Sequence, residues 1–243
     1  MAKIFDWSIV DREILALMIK MAEPTIVGMS LQPTVISKKI KKIFKFFDLP
    51  VKVRTIYNQI TTPNTVWVGG VYDSNLDEES KTSITIITQF NNKNKDVVLN
   101  KCMFNRMCYA IADTILHEII HVRQYRRRSY KVIPGYLSTA SSGKKHTQQE
   151  YLGHPDEIDA YSFNIACQLI ERFGDNDNLI SKYLNADFTD KRLKKDTYKM
   201  YLQAFDYDHK HTVIRRLKKK IVYYLPNARE IGKPYKTNDW LKK

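Results

Sequence analysis

Cysteine is scarce in this chain: three residues in 243, at Cys102, Cys108 and Cys167, with no C-x-x-C spacing. An odd count without paired spacing excludes a disulfide framework and a cysteine-built zinc ribbon, and it fits a reducing compartment. Long apolar runs are missing too. No stretch approaches the roughly 18 residues that span a bilayer. Asp6, Asp11, Arg12 and Glu13 interrupt any apolar core that a signal peptide would need near the start. The expectation is a soluble protein without a membrane span, cytoplasmic, or virion-associated if its source is a virus. Acidic residues are in deficit: 26 Asp and Glu face 40 Lys and Arg, for a net charge of +14. The excess is concentrated in residues 191–243, which hold 16 Lys and Arg against 5 Asp and Glu. That asymmetry points to an anionic partner for the C-terminal part. No internal repeat is evident. At 43% hydrophobic residues, the length suffices for a real core.

Against that background one stretch stands out, His117-Glu118-Ile119-Ile120-His121. On a helix, positions i and i+4 lie one turn apart on the same face, so two imidazoles at this spacing can bind one metal ion. Glu118 is offset by about 100° and can reach a metal-bound water without being a ligand. With six His and nine Glu in the chain, a chance match is expected on the order of half a percent of the time. The surroundings are apolar or small (Ala110, Ile111, Thr114, Ile115, Ile119, Ile120, Val122), so this is a buried helix. The alternative is a pair of core histidines with ordinary hydrogen-bond partners.

Periodicity places the other elements. Asp6–Ala22 has helical apolar spacing and stops before Pro24. A second helix is expected over Pro33–Phe47, with Ile36, Ile40, Ile43, Phe44 and Phe47 on one side and Lys38, Lys39, Lys41, Lys42 and Lys45 on the other. From Val51 the pattern turns to strands: Val51–Tyr57, Thr65–Tyr72, Thr82–Phe90 and a short Val97–Asn100. The metal helix follows over Lys101–Arg128. Residues 129–156, rich in Ser, Thr, Gly and Pro, read as a long loop near the site. Further helices are expected from Glu157, over Leu179–Leu184, Lys191–Phe205 and Thr212–Leu225, and the tail over Pro226–Lys243 is expected to be extended or disordered.

The His-Glu-x-x-His helix, preceded by a small sheet and followed by the stretch Glu157-Ile158-Asp159-Ala160-Tyr161-Ser162-Phe163-Asn164-Ile165-Ala166, resembles the zincin metallopeptidases over residues 51–172. The ImmA/IrrE and phage-encoded types are the nearest in style. The resemblance implies an α+β zincin-like fold, a small mostly antiparallel sheet packed on the metal helix, Zn2+ as cofactor and a protein or peptide substrate. It also implies Glu157 as third metal ligand beside His117 and His121. On residue chemistry, His154, Asp156 and Asp159 remain rivals for that position, the aspartates otherwise serving to cap the helix. The implied catalyst is Glu118, acting as general base. Tyr161, Tyr151 and Tyr136 are candidate oxyanion donors. Asp113, four residues before His117, could orient an imidazole or simply be solvated. The resemblance further suggests that substrate adds as a strand along an exposed edge, expected at Thr82–Phe90.

The domain reading is N-terminal helices over 1–50, the catalytic part over 51–174 and a basic helical region over 175–243. Arg215, Arg216, Lys218, Lys219 and Lys220 are followed by Tyr223 and Tyr224, a pairing of cations and aromatics suited to nucleic acid or another polyanion. The alternative is a solvated basic face with tyrosines in the core. SprT-like proteases are similar in joining a zincin to a DNA-binding part, although this chain has no counterpart of their cysteine ribbon. The rival from another class is a non-enzymatic structural or assembly protein, such as a virion component, on a zincin scaffold. Glu118 argues against that rival, because a purely structural zinc site needs no general base.

Overall fold

A computed structural model describes residues 12–57, 66–78, 83–91, 95–131, 145–186 and 196–231. The expected helical turn before Arg12, the start of the Lys191 helix, the tail beyond Ile231 and Tyr136 lie outside the described residues. By internal packing the chain divides into two units, Met1–Val132 and Ile133–Lys243. In the first unit the early helices pack on the sheet and on the helix Lys101–Arg127, as the sequence reading placed them on the core.

In the first unit, α1 (Arg12–Lys20) buries Leu15, Ala16 and Ile19 and packs on the later helix α4 (Lys101–Arg127). The two-residue strand β1 (Ser30–Leu31) follows. Helix α2 (Pro33–Phe46) opens on Pro33, whose fixed φ and missing N–H cost nothing in a first turn. Its buried stripe is Ile36, Ile40 and Phe44, and Lys38, Lys41, Lys42 and Lys45 face solvent as the periodicity required. Ser37 ties α2 to the sheet through Thr88 (2.9 Å) and Thr55 (2.8 Å).

The sheet comprises β2 (Val51–Tyr57), β3 (Trp67–Tyr72) and β4 (Ile84–Phe90), in the order β2-β4-β3. β2 runs parallel to β4, and β3 antiparallel to it. This order corrects two expectations. The sheet is mixed, not mostly antiparallel, because β3 and the short helix α3 (Ser74–Glu78) form the long connection that parallel neighbours require. The 82–90 segment is central, not an edge. Ile84, Ile86, Thr88 and Phe90 are buried on one face, and the backbone is paired on both sides. The edges of this sheet are β2 and β3. A separate antiparallel pair joins β1 to β5 (Val97–Val98).

Helix α4 begins where Asn100 accepts a hydrogen bond from the Met103 N–H at 2.9 Å, satisfying one of the free donors of a first turn. Every residue from Ile115 to Val122 is buried, so more than two turns of this helix have no solvent face. Burial also pushes the Cys108 thiol on α4 up to about 12, and this cysteine stays a neutral packing residue. The helix ends with Ser129 and Tyr130 in the left-handed region, a conformation disfavoured for non-glycine residues. Asp77 of α3 holds this end in place. Its buried carboxylate receives Arg126 in two bonds (2.8 and 2.7 Å), Tyr72 at 3.1 Å and Tyr130 at 3.3 Å.

The second unit is helical in its described residues: α5 (Lys145–Gly153), α6 (Pro155–Phe173), α7 (Asp177–Leu184), α8 (Thr197–Ala204) and α9 (Thr212–Ile231). α5 corrects part of the expected loop. Its sequence, Lys-His-Thr-Gln-Gln-Glu-Tyr-Leu-Gly, has almost no apolar period to read; packing on α6 and α8 makes it a helix, with Gln149 bonded to the Ala204 carbonyl at 2.7 Å. Long α6 buries Ile158, Phe163, Ile165, Ala166 and Leu169, and it stops at Gly174, whose φ of 58° suits glycine. α9 packs against it, with Ile214, Leu217, Ile221, Leu225 and Ala228 buried.

The ion pair at Asp77 makes a direct prediction. Asp77→Ala leaves Arg126 without its partner and the α4 terminus unsupported, so stability should fall by about 3 kcal/mol. Urea unfolding of the variant beside wild type measures the loss, and an unchanged midpoint would show that the network contributes nothing.

Candidate metal centre

The geometry starts with one turn of α4. His117, Glu118 and His121 are 7%, 6% and 4% exposed, and the two Nε2 atoms face each other at 3.2 Å. Two nitrogens bound tetrahedrally to one ion at about 2.0–2.1 Å stand about 3.3–3.4 Å apart, so the observed separation suits a shared metal without rearrangement. The ring of His121 is oriented by Gln124, whose Oε1 lies 2.8 Å from Nδ1. With the amide oxygen accepting, Nδ1 carries the proton and Nε2 presents its lone pair, the tautomer a ligand needs. Gln124 is the partner of His121 that sequence reasoning missed. Its i+3 spacing from His121 was legible, but glutamine on a helix carries no signal of its own.

Glu118 lies against the edge strand β3. A Cβ on Gly70 would stand 2.6 Å from Glu118 Oε1 and 2.5 Å from Thr114 Cγ2. The strand can approach the carboxylate this closely only because residue 70 has no side chain.

Glu157 sits in the first turn of α6 and is 1% exposed. Helix α6 brings Tyr161 onto the same side one turn later, and α5 contributes Tyr151. The Tyr151 hydroxyl is driven well above its ordinary value by burial first, then by Tyr161 and the Glu157 carboxylate; it remains a hydrogen-bond donor. Tyr161 also stacks edge-on with Tyr201, ring centroids 5.5 Å apart. Within the first unit His117 and His121 present two buried imidazole nitrogens able to share a metal ion, and within the second Glu157 is a buried carboxylate.

The remaining sequence candidates have partners of their own. His154 is the N-cap of α6, its Nδ1 accepting from the Asp156 N–H at 3.3 Å. Asp159 is held by Tyr224 at 3.0 Å and Lys220 at 2.8 Å. Asp113 forms a two-bond ion pair with Arg12 of α1, at 2.6 and 3.1 Å. Comparison of the chain with protein-family models, with curated proteins and with solved structures finds no match in any of the three. The chemistry of the site therefore carries the functional reading.

Removing the Gln124 acceptor should loosen the His121 ring without touching a ligand. Gln124→Ala is expected to lower affinity for a divalent ion about 10–100-fold, measured by competition with a chromophoric chelator. Unchanged affinity would mean that Gln124 does not set the tautomer.

Proposed function

We propose that the protein is a zinc-dependent peptidase of zincin type. The observation that carries this reading is the buried pair of imidazoles facing each other on one turn of α4, with Glu118 between them in sequence and equally buried. Two neutral nitrogens and one carboxylate suit zinc, and three protein ligands leave one coordination position open. His117, His121 and Glu157 would hold the ion. When bound, zinc supplies a water of lowered pKa and polarises a carbonyl oxygen.

The chain's own residues then divide the work. Glu118 accepts the proton that water loses as its oxygen bonds to the scissile carbonyl carbon. It passes that proton to the nitrogen as the C–N bond breaks, releasing a carboxylate product and a free amine. The low exposure of Glu118 keeps competing bulk water from it. Tyr161 and Tyr151 are the candidates to receive negative charge developing on the carbonyl oxygen. A peptide would add as a strand to β3, the edge carrying Gly70, in place of the central segment expected from sequence.

Metal analysis tests the ligands and turnover tests the base. Wild type should carry close to one zinc per chain by elemental mass spectrometry, lost in His117→Ala and in Glu157→Ala. Glu118→Gln should retain the metal while peptide hydrolysis falls about a hundred- to ten-thousandfold. A protein that takes up no metal when zinc is offered would sink the reading. An active Glu118→Gln variant would move the base elsewhere, and a metal-loaded wild type that cleaves no peptide would favour a structural role.

Gly70→Ala probes the same carboxylate from the strand. It should leave zinc content unchanged and reduce kcat about a hundredfold, the scale of an ångström-level misplacement. Wild-type turnover in this variant would show that β3 does not fix Glu118.

A further inference from the structure

Helix α9 presents two unlike faces. Ile214, Leu217, Ile221, Leu225 and Ala228 are buried, whereas Arg215, Arg216, Lys219, Lys220 and Tyr223 are exposed. Four of the exposed residues, Arg216, Lys219, Lys220 and Tyr223, follow the spacing i, i+3, i+4, i+7 and therefore share one stripe. With Pro155 and Ile158 of α6 they line a cavity of about 350 Å³. Three cations line it, of which Lys220 is ion-paired with Asp159.

The aromatic ring in this cavity is exposed yet well supported. Tyr223 is 66% exposed and packs edge-on against Tyr224, centroids 5.1 Å apart. Tyr224 is itself fixed, by a bond from its hydroxyl to Asp159 at 3.0 Å and by the Phe163 ring at 5.4 Å. Lys220 bonds Asp159 at 2.8 Å and lies 5.5 Å over the Tyr223 ring. Holding a large ring in water against a fixed support leaves one flat face available at little entropic cost.

We propose that this stripe binds single-stranded nucleic acid, with phosphates on Arg216 and Lys219 and one base stacked on Tyr223. Cations alone would suit any polyanion. The apolar side of the cavity, made by Pro155, Ile158 and the tyrosine ring, calls for a ligand that alternates negative charge with flat apolar groups at close spacing. Single strands have that character, and their bases are free to stack. In a duplex the bases are already stacked on one another. The geometry also narrows the basic run. Lys218 donates to Asn185 at 2.9 Å, and burial lowers its pKa; Arg215 does not line the cavity. The inference concerns only the second unit and does not depend on the peptidase reading.

The test uses the full chain and a fluorescent oligothymidylate of roughly twenty nucleotides, read by anisotropy. Tyr223→Ala should weaken binding on the order of tenfold. Arg216→Ala and Lys219→Ala should each weaken it and lower the slope of log affinity against log salt by about one unit. The control Lys41→Ala/Lys42→Ala removes two exposed charges from α2 and should change nothing. Circular dichroism establishes that every variant is folded, and each lies on an exposed face where folding is not at stake. Three results would overturn the proposal: wild-type affinity in Tyr223→Ala, equal weakening by the α2 control, or equal affinity for a duplex of the same length. Binding to phosphatidylserine vesicles through the same residues, with none to the oligonucleotide, would reassign the stripe to a membrane surface.

Discussion

Two imidazoles and a carboxylate buried within one turn of α4 are the constraint around which the first unit is arranged. Ionisable groups without water cost several kcal/mol each unless something compensates. Every residue from Ile115 to Val122 is nonetheless shielded, and the compensation is visible around the helix. Gln124 bonds His121, and the sheet reaches Glu118 only because strand β3 is bare at Gly70. The helix itself is held at both ends, by the Asn100 cap and by Asp77 gripping Arg126 and Tyr130. A helix anchored this way gives its side chains little freedom, which is what a metal-binding pair requires.

The sequence announced this helix clearly because spacing and chemistry coincide there: His at i and i+4 with Glu between them seldom arises by chance in an apolar run. The strands were legible for the same kind of reason. Alternating Val, Ile and Thr gave Val51–Tyr57 with both ends correct, and Trp67–Tyr72 and Ile84–Phe90 to within two residues. Pairing was not legible. Which of three similar strands is central depends on how the chain crosses over, and nothing local to Thr85 or Thr88 states that two partners flank them. Helix α5 was hidden for the opposite reason, a polar sequence made helical by its neighbours.

The side chains that support the site were the least readable. Gln124 and Gly70 carry no motif, and their roles come from distances of a few ångströms to side chains and strands that no local pattern predicts. Asp113 shows the converse. Its i−4 spacing from His117 suggested either a partner for the imidazole or a solvated group, and an ion pair with Arg12, about a hundred residues away, was in neither reading. Helical spacing fixes which residues can meet, and tertiary packing decides which do.

Gly70 also ties strand pairing to the setting of Glu118. It stands opposite Ile86 in the β3–β4 ladder, and that register alone brings the residue without a side chain to Glu118. A slip of one residue would turn the strand over. A slip of two would keep the face but offer Val68 or Tyr72 to the carboxylate. A misregistered sheet could still be well packed and fully folded, yet it would have a blocked centre. For this chain, the alignment of two strands and the setting of the Glu118 carboxylate are the same event.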